Sequence, residues 1–179
     1  MNMRTSGFTL IELMIALSIF AFLIFLAGPM YADFMGNSQI RNAAENSLTG
    51  VRLAQSAAIK GNSLARFDLS TSGWAVHVWD DELGGFAVAP LQTYQFAEGA
   101  SRTTYDPTPA GATRVTFDGL GRVVPDASSL TQIEVTNPSV TSPRKLRVMI
   151  GFTGVGGSSG IKLCDPVVLA PDPRSCPLP

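Results

Sequence analysis

"RTSGFTLIELMIALSIFAFLIFLAGPMY", Arg4 to Tyr31, is the stretch from which the rest of the chain is read. From Phe8 to Met30 the residues are apolar except Thr9, Glu12, Ser18, Gly28 and Pro29. A helix needs about 20 apolar residues to cross a bilayer, so the run is long enough. Arg4 precedes it and no Lys or Arg follows until Arg41. That asymmetry leaves the N-terminus in the cytoplasm and the rest outside. Glu12 does not fit a plain span. A carboxylate at mid-helix costs about 2.5–3.5 kcal/mol to insert, and an acid within a membrane calls for a partner.

Three readings compete. A secretory signal peptide has a shorter apolar region ending in an A-x-A-like site, and "GPMYAD" fits such a site poorly. A single-pass anchor accounts for the length but leaves Glu12 without a partner. Cleavage between Gly7 and Phe8 accounts for both. Glu12 then becomes the fifth residue of the mature chain, and the new α-amino group of Phe8 is a cation about one helical turn away or on a neighbouring subunit.

On these residues the sequence resembles a family. "SGFTLIELMIAL" is similar to the leader and N-terminus of type IV pilins and type II secretion pseudopilins. The resemblance implies that prepilin peptidase cuts after Gly7 and N-methylates Phe8. It implies that Glu12 pairs with the N-terminal amine of a neighbouring subunit in a filament. It also implies a helix bend at Gly28–Pro29, where Pro29 falls 22 residues into the mature chain.

Beyond Pro29 the pattern becomes amphipathic. Ile40, Ala44, Leu48, Val51, Ala54 and Ala58 recur at steps of three and four, one helix face, with Arg41, Glu45, Arg52 and Lys60 off it. Gly61–Asn62 is a stop signal. The expectation is one helix from Phe8 to about Lys60, bent at Gly28–Pro29. From Leu64 the period changes to two. "LARFDLS", "GWAVHVWDD", "GGFAVAP" and "LQTYQFAEG" read as strands, and "SRTTYDPTPAGA", Ser101–Ala112, as a Pro/Gly loop. "TRVTFDGLGRVVP" reads as a hairpin, with strands Thr113–Phe117 and Arg122–Val124. "TQIEVTN" and "RKLRVMIGF" follow, joined by the turn "PSVTSP". "TGVGGSSG" reads as flexible, and "IKLCDP" as the last strand. The fold class expected is α+β, a long N-terminal helix packed on antiparallel β-sheet. The divisions are a leader (1–7), an apolar half-helix (8–31), an amphipathic half-helix (32–61) and a β-rich domain (62–179).

This order, with "VTFDGLGRV" and the tail "IKLCDP…DPRSC", resembles the GspH/FimT branch of minor pilins and pseudopilins. The branch implies a filament subunit present in one copy or few, often near the tip. It leaves open a type IV pilus or a type II secretion system. The partners implied are other pilins, prepilin peptidase and, before assembly, the inner membrane, with the domain periplasmic and later extracellular. Cys164 and Cys176 lie near no His or further Cys, which argues against zinc. For an exported domain, a disulfide closing this short loop is the natural reading.

Catalytic chemistry has little support. His77, the single histidine, lies on a strand between two Val and reads as a packed or rim residue. Asp80, Asp81 and Glu82 form a solvated turn without the spacing of a calcium loop. The glycines of "TGVGGSSG" lack the Lys-Ser/Thr of a phosphate loop. No enzyme, cofactor or metal is expected. DNA capture, known among FimT-type members, is the competing function. Its candidate contacts are Arg144, Lys145, Arg147, Lys162 and Arg174. Net charge is −1 overall, and from Asn62 onward nine Lys/Arg face eleven Asp/Glu. Two or three phosphate contacts would bind only weakly and with strong salt dependence.

Overall fold

A computed structural model describes residues 8–153 and 159–177. The α-helix α1 runs without a break over Leu10–Gly61, 52 residues or about 78 Å at 1.5 Å per residue. Thr9 caps it by accepting a hydrogen bond from Glu12 N at 3.3 Å. At the other end Asn62 adopts the left-handed conformation (φ 46°, ψ 40°) and its N–H returns to the Ala58 and Ile59 carbonyls. The start is two residues later than expected and the stop is where Gly61–Asn62 placed it.

Two antiparallel sheets lie against the second half of α1. The first contains β1 (Ala65–Leu69), β2 (Gly73–Asp80), β3 (Gly85–Phe86), β4 (Gln92–Gln95) and β6 (Arg114–Phe117), in the order β3-β2-β1-β6. β4 shares the β3 edge of β2, pairing with Gly73–Val76 while β3 pairs with Trp79 and Asp80. The second sheet has the order β5-β7-β8-β9, from β5 (Thr104–Thr108), β7 (Gln132–Thr136), β8 (Leu146–Thr153) and β9 (Ser159–Cys164).

Alternation selects the faces. Ala65, Phe67 and Leu69 of β1, Trp74 and Val76 of β2, and Val115 and Phe117 of β6 are buried. So are Ile133 and Val135 of β7 and Val148 and Ile150 of β8. On α1 the expected stripe is buried at Ile40, Ala44, Val51, Ala54 and Ala58, with Leu48 half-buried. Ala43 and Ser47 widen it, the Ser47 hydroxyl being satisfied by the Ala43 carbonyl at 2.9 Å. Small residues bring the sheet close. A Cβ at Gly50 would stand 2.8 Å from Phe67 Cε2 and from Trp74 Cε2. Gln55 then ties the turn after β6 and the start of β9 to the helix, its amide donating to the Gly121 carbonyl at 2.8 Å and the Ser159 carbonyl at 3.2 Å.

Four strand expectations change, the first being "GGFAVAP", which is strand only at Gly85–Phe86. Ser101–Ala112 is not wholly loop, because Thr104–Thr108 forms β5 on the edge of the second sheet. An edge position tolerates Pro107, and Tyr105 anchors the strand by stacking on Phe96 at 3.8 Å between ring centroids. Arg122–Val124 contributes only a bridge, Phe117 to Val123, flanked by Val124 N donating to Thr116 O at 2.9 Å. Pro125 follows at once and ends the pairing. "LQTYQFAEG" is strand only through Gln95 and closes with a 3₁₀ turn, Phe96–Glu98. The segment read as flexible, "TGVGGSSG", lies largely outside the described residues.

Candidate functional site: an exposed helical arm and its grip

Among the described residues, nothing packs against the first third of α1. Leu10, Ile11, Leu13, Phe20, Phe22, Leu23 and Phe25 are all more than half exposed, as are Met30 and Tyr31. The helix is long and apolar enough there to cross a membrane, by length and composition. Glu12 is in its first turn at the third helical position, where a carboxylate complements the N-terminal end of the helix dipole. Thr9-x-x-Glu12 is a capping-box pattern. It was legible in the sequence, and the half of it seen here is the Thr9 hydroxyl accepting from Glu12 N. Ser18 returns its hydroxyl to the Met14 carbonyl at 2.8 Å, as a polar residue on an apolar face does. Gly7 lies outside the described residues. α1 continues through Gly28 and Pro29.

The domain takes hold of the helix at Asp33. Thr141 N donates to Asp33 Oδ1 at 3.2 Å, and Arg144 N to Asn37 Oδ1 at 2.9 Å. Asn137, buried at 1 % exposure, reaches Gln39 Oε1 at 3.4 Å. Val140 sits so close over Gly36 that a Cβ there would collide with it. The turn "PSVTSP" is therefore the clasp of the domain on the helix. No local signal reveals this, since the partners are about a hundred residues apart.

The five cationic candidates are spoken for. Lys145 and Arg147 share a face, as alternation requires, and both pair with Glu134, at 3.2 and 2.7 Å. Hydrogen bonding from Arg147 holds the Glu134 carboxyl below its ordinary range. Arg144 points the other way and pairs with Asp165 at 3.2 Å. Lys162 donates to the Ser175 carbonyl at 2.8 Å. Arg174 grips Asp172 at 2.8 Å, and its side-chain and backbone donors pull that carboxyl down to about 2. The Glu134 pairs were not legible, because they depend on strand register, whereas Asp172 lies only two residues from Arg174.

Cys164 and Cys176 form a disulfide. Beside it, α1 and the ends of β8 and β9 enclose a groove of about 510 Å³, lined by Phe34, Asn37, Arg41, Leu146, Leu163 and Asp165. His77 is a rim residue on β2. Its Nδ1 lies 2.8 Å from the Ala87 carbonyl, and its Nε2 is 3.9 Å from Asp68. Asp80 folds its own turn by accepting from Glu82 N and Leu83 N. Among the described residues no three His, Cys, Asp or Glu side chains converge as a metal site.

Comparison with known proteins places this architecture. The family profile described as type II transport protein GspH matches residues 43–154, and the prokaryotic N-terminal methylation motif matches residues 2–28. Among curated proteins none matches the sequence significantly. Two crystal forms of the type IV minor pilin FimU from Pseudomonas aeruginosa are similar in structure, both at 18 % identity. One covers 72 % of this chain and 92 % of its own with a TM-score of 0.48; the other covers 68 % and 91 % with a TM-score of 0.45. The GspH profile spans well over half of the chain, its N-terminus carries the methylation motif, and the protein belongs to the GspH family of pilin-like proteins.

Proposed function

We propose that this protein is a minor pilin, made as a prepilin and held in the inner membrane by its apolar arm until a type IV pilus assembles. It primes assembly or occupies a place near the tip. The observation that carries this reading is the arm itself. A helix apolar on every side and gripped only from Asp33 onward needs lipid or other helices around Phe8–Met30. Prepilin peptidase cuts after Gly7 and methylates Phe8, and Glu12 then pairs with a subunit amine in the filament core. Gly28 and Pro29, where a backbone hydrogen bond is lost, are the point at which the arm bends on leaving the membrane. Cytoplasmic N-terminus, periplasmic domain and final extracellular position follow from the charge asymmetry around the run.

The processing step is tested in cells that carry the peptidase. Gly7→Leu is expected to leave the protein at precursor mass with an unmethylated N-terminus, read by intact mass spectrometry. Mature, methylated protein from that variant would overturn the leader assignment.

The family description favours a second reading, a minor pseudopilin of a type II secretion system, with the same leader and arm. DNA capture is less supported. Each of Arg144, Lys145, Arg147 and Arg174 faces a carboxylate, and Lys162 a carbonyl, so much of the positive charge offered to DNA is already countered locally.

A further inference from the structure

Arg144 is held at two points. Its backbone N–H donates to Asn37 Oδ1 at 2.9 Å, one of the bonds by which the clasp grips the helix. Its guanidinium reaches the other way and meets Asp165 Oδ2 at 3.2 Å. Asp165 follows Cys164 directly in the chain and is only 7 % exposed. Asn37, Arg144, Cys164 and Asp165 line the same groove beside α1. One path of contacts therefore runs from the disulfide, through Asp165 and Arg144, to the helix just beyond the arm.

The far end of the disulfide loop fixes Asp165. Asp165 N donates to Arg174 O at 2.8 Å, Asp165 forms a parallel bridge with Ser175, and Lys162 Nζ donates to Ser175 O at 2.8 Å. The Cys164–Cys176 bond closes this pairing covalently. Without it the chain beyond Asp165 is a tail held by a few hydrogen bonds, each worth about 1 kcal/mol. Such a tail opens locally while the rest of the fold stays intact. Asp165 then stands in water, and its pair with Arg144 becomes an exposed one that contributes little. Arg144 loses its outer anchor, and the clasp is left to its bonds on the helix.

We propose that the disulfide is a redox switch on the clasp: closing it tightens the hold of the domain on the helix at Asn37, through Asp165 and Arg144. Two thiols give two protons and two electrons to a disulfide oxidant, which becomes two thiols, as one S–S bond forms between Cys164 and Cys176. Compartments outside the cytoplasm supply that oxidant. The domain thus completes its grip on the helix after export, before the subunit is used. The timing rests on the reading of the domain as exported. The coupling itself rests on the contacts alone, so it stands or falls separately from the pilus reading.

Amide hydrogen exchange of the full chain in detergent micelles, read by mass spectrometry on short peptides, tests the coupling. Cys176→Ser opens the bridge and leaves the buried Cys164 in place. Exchange over residues 139–144 is expected to quicken about fivefold, the loss of one ion pair of this kind. β1 and β2 are expected to keep their parent rates. Arg144→Gln with the bridge closed is expected to quicken the same residues to the same extent. Its side chain is 58 % exposed, so the fold tolerates the change. The two substitutions together are expected to do no more than either alone, because both break one path. Unchanged exchange over 139–144 in either variant overturns the proposal. So do effects that multiply in the double variant, or a quickening in β1 and β2 as large as that in the clasp.

Discussion

Gly50 shows how much one missing methyl decides. In a helix interior Gly is about 1 kcal/mol worse than Ala, yet here it lets two buried rings, Phe67 and Trp74, reach the helix. Those rings sit 5.8 Å apart between centroids and are both buried. Overpacking of a filled core costs about 1–3 kcal/mol, which outweighs the propensity gained. Gly50→Ala is expected to lower the urea midpoint, by about 1 kcal/mol in stability, whereas Thr49→Ala on the exposed face is expected to leave it unchanged or raise it slightly. Glu134 makes a second residue-scale case. It stands opposite Arg147 in register, with its side chain 18 % exposed, and receives Arg147 and Lys145 together. Its folded-state carboxyl is depressed, so its contribution is present above the ordinary glutamate range and is lost as pH falls through the lower folded value. Urea titrations at about pH 7 and about pH 3 are expected to show Glu134→Gln less stable than the parent at the higher pH, with much of the gap gone at the lower. A gap of the same size at both would show that Glu134 acts through packing alone.

At the scale of elements, the sequence speaks clearly where the pattern is local. The period change near Leu64 separates helix from sheet. The stripe from Ile40 to Ala58 faces the core, and Ala65, Phe67 and Leu69 turn inward as alternation requires. It is silent where an element exists only because of a distant partner. β5 is a strand because β7 lies beside it and Phe96 covers Tyr105, although Pro107 argues locally for a loop. The clasp at 137–144 reads as a plain turn until Asp33 and Asn37 are seen to receive its N–H groups. The ion pairs of Arg144, Lys145 and Arg147 likewise follow from register, not from composition. The C-terminal loop belongs to this scale too. Closing a loop of about 15 residues with a disulfide is worth about 3 kcal/mol through the unfolded chain. Cys164→Ser with Cys176→Ser is expected to lose about that much in urea unfolding, or somewhat less, because Asp165 and Arg174 still hold the loop base together.

For the whole molecule, the decisive property is the contrast between a gripped half-helix and a bare one. The domain buries the stripe from Gly36 to Ala58 and leaves Phe8–Met30 to an outside partner. Function at this scale should then be lost without any loss of folding. Glu12→Ala is expected to insert in the membrane, undergo processing and unfold at the parent's urea midpoint, since Glu12 touches nothing in the domain. It is expected to be missing from sheared filaments, read by immunoblot against the membrane fraction. Normal incorporation would remove the pairing role and leave Glu12 only as a first-turn acid that complements the helix dipole.

The clasp also bears on mechanics. A subunit in a fibre under tension is pulled along its helix. The bonds from Thr141, Arg144 and Asn137 reach Asp33, Asn37 and Gln39 at successive levels, and Gln55 adds another about 24 Å further along. Load along the axis would shear these contacts side by side instead of opening them one after another. Sliding of the domain along the helix is opposed by Gln55, bonded to the turn after β6 and to the start of β9, and by Val140 packed over Gly36. The domain would ride on its helix as a fixed collar, passing tension through the helix and leaving the outward strands slack.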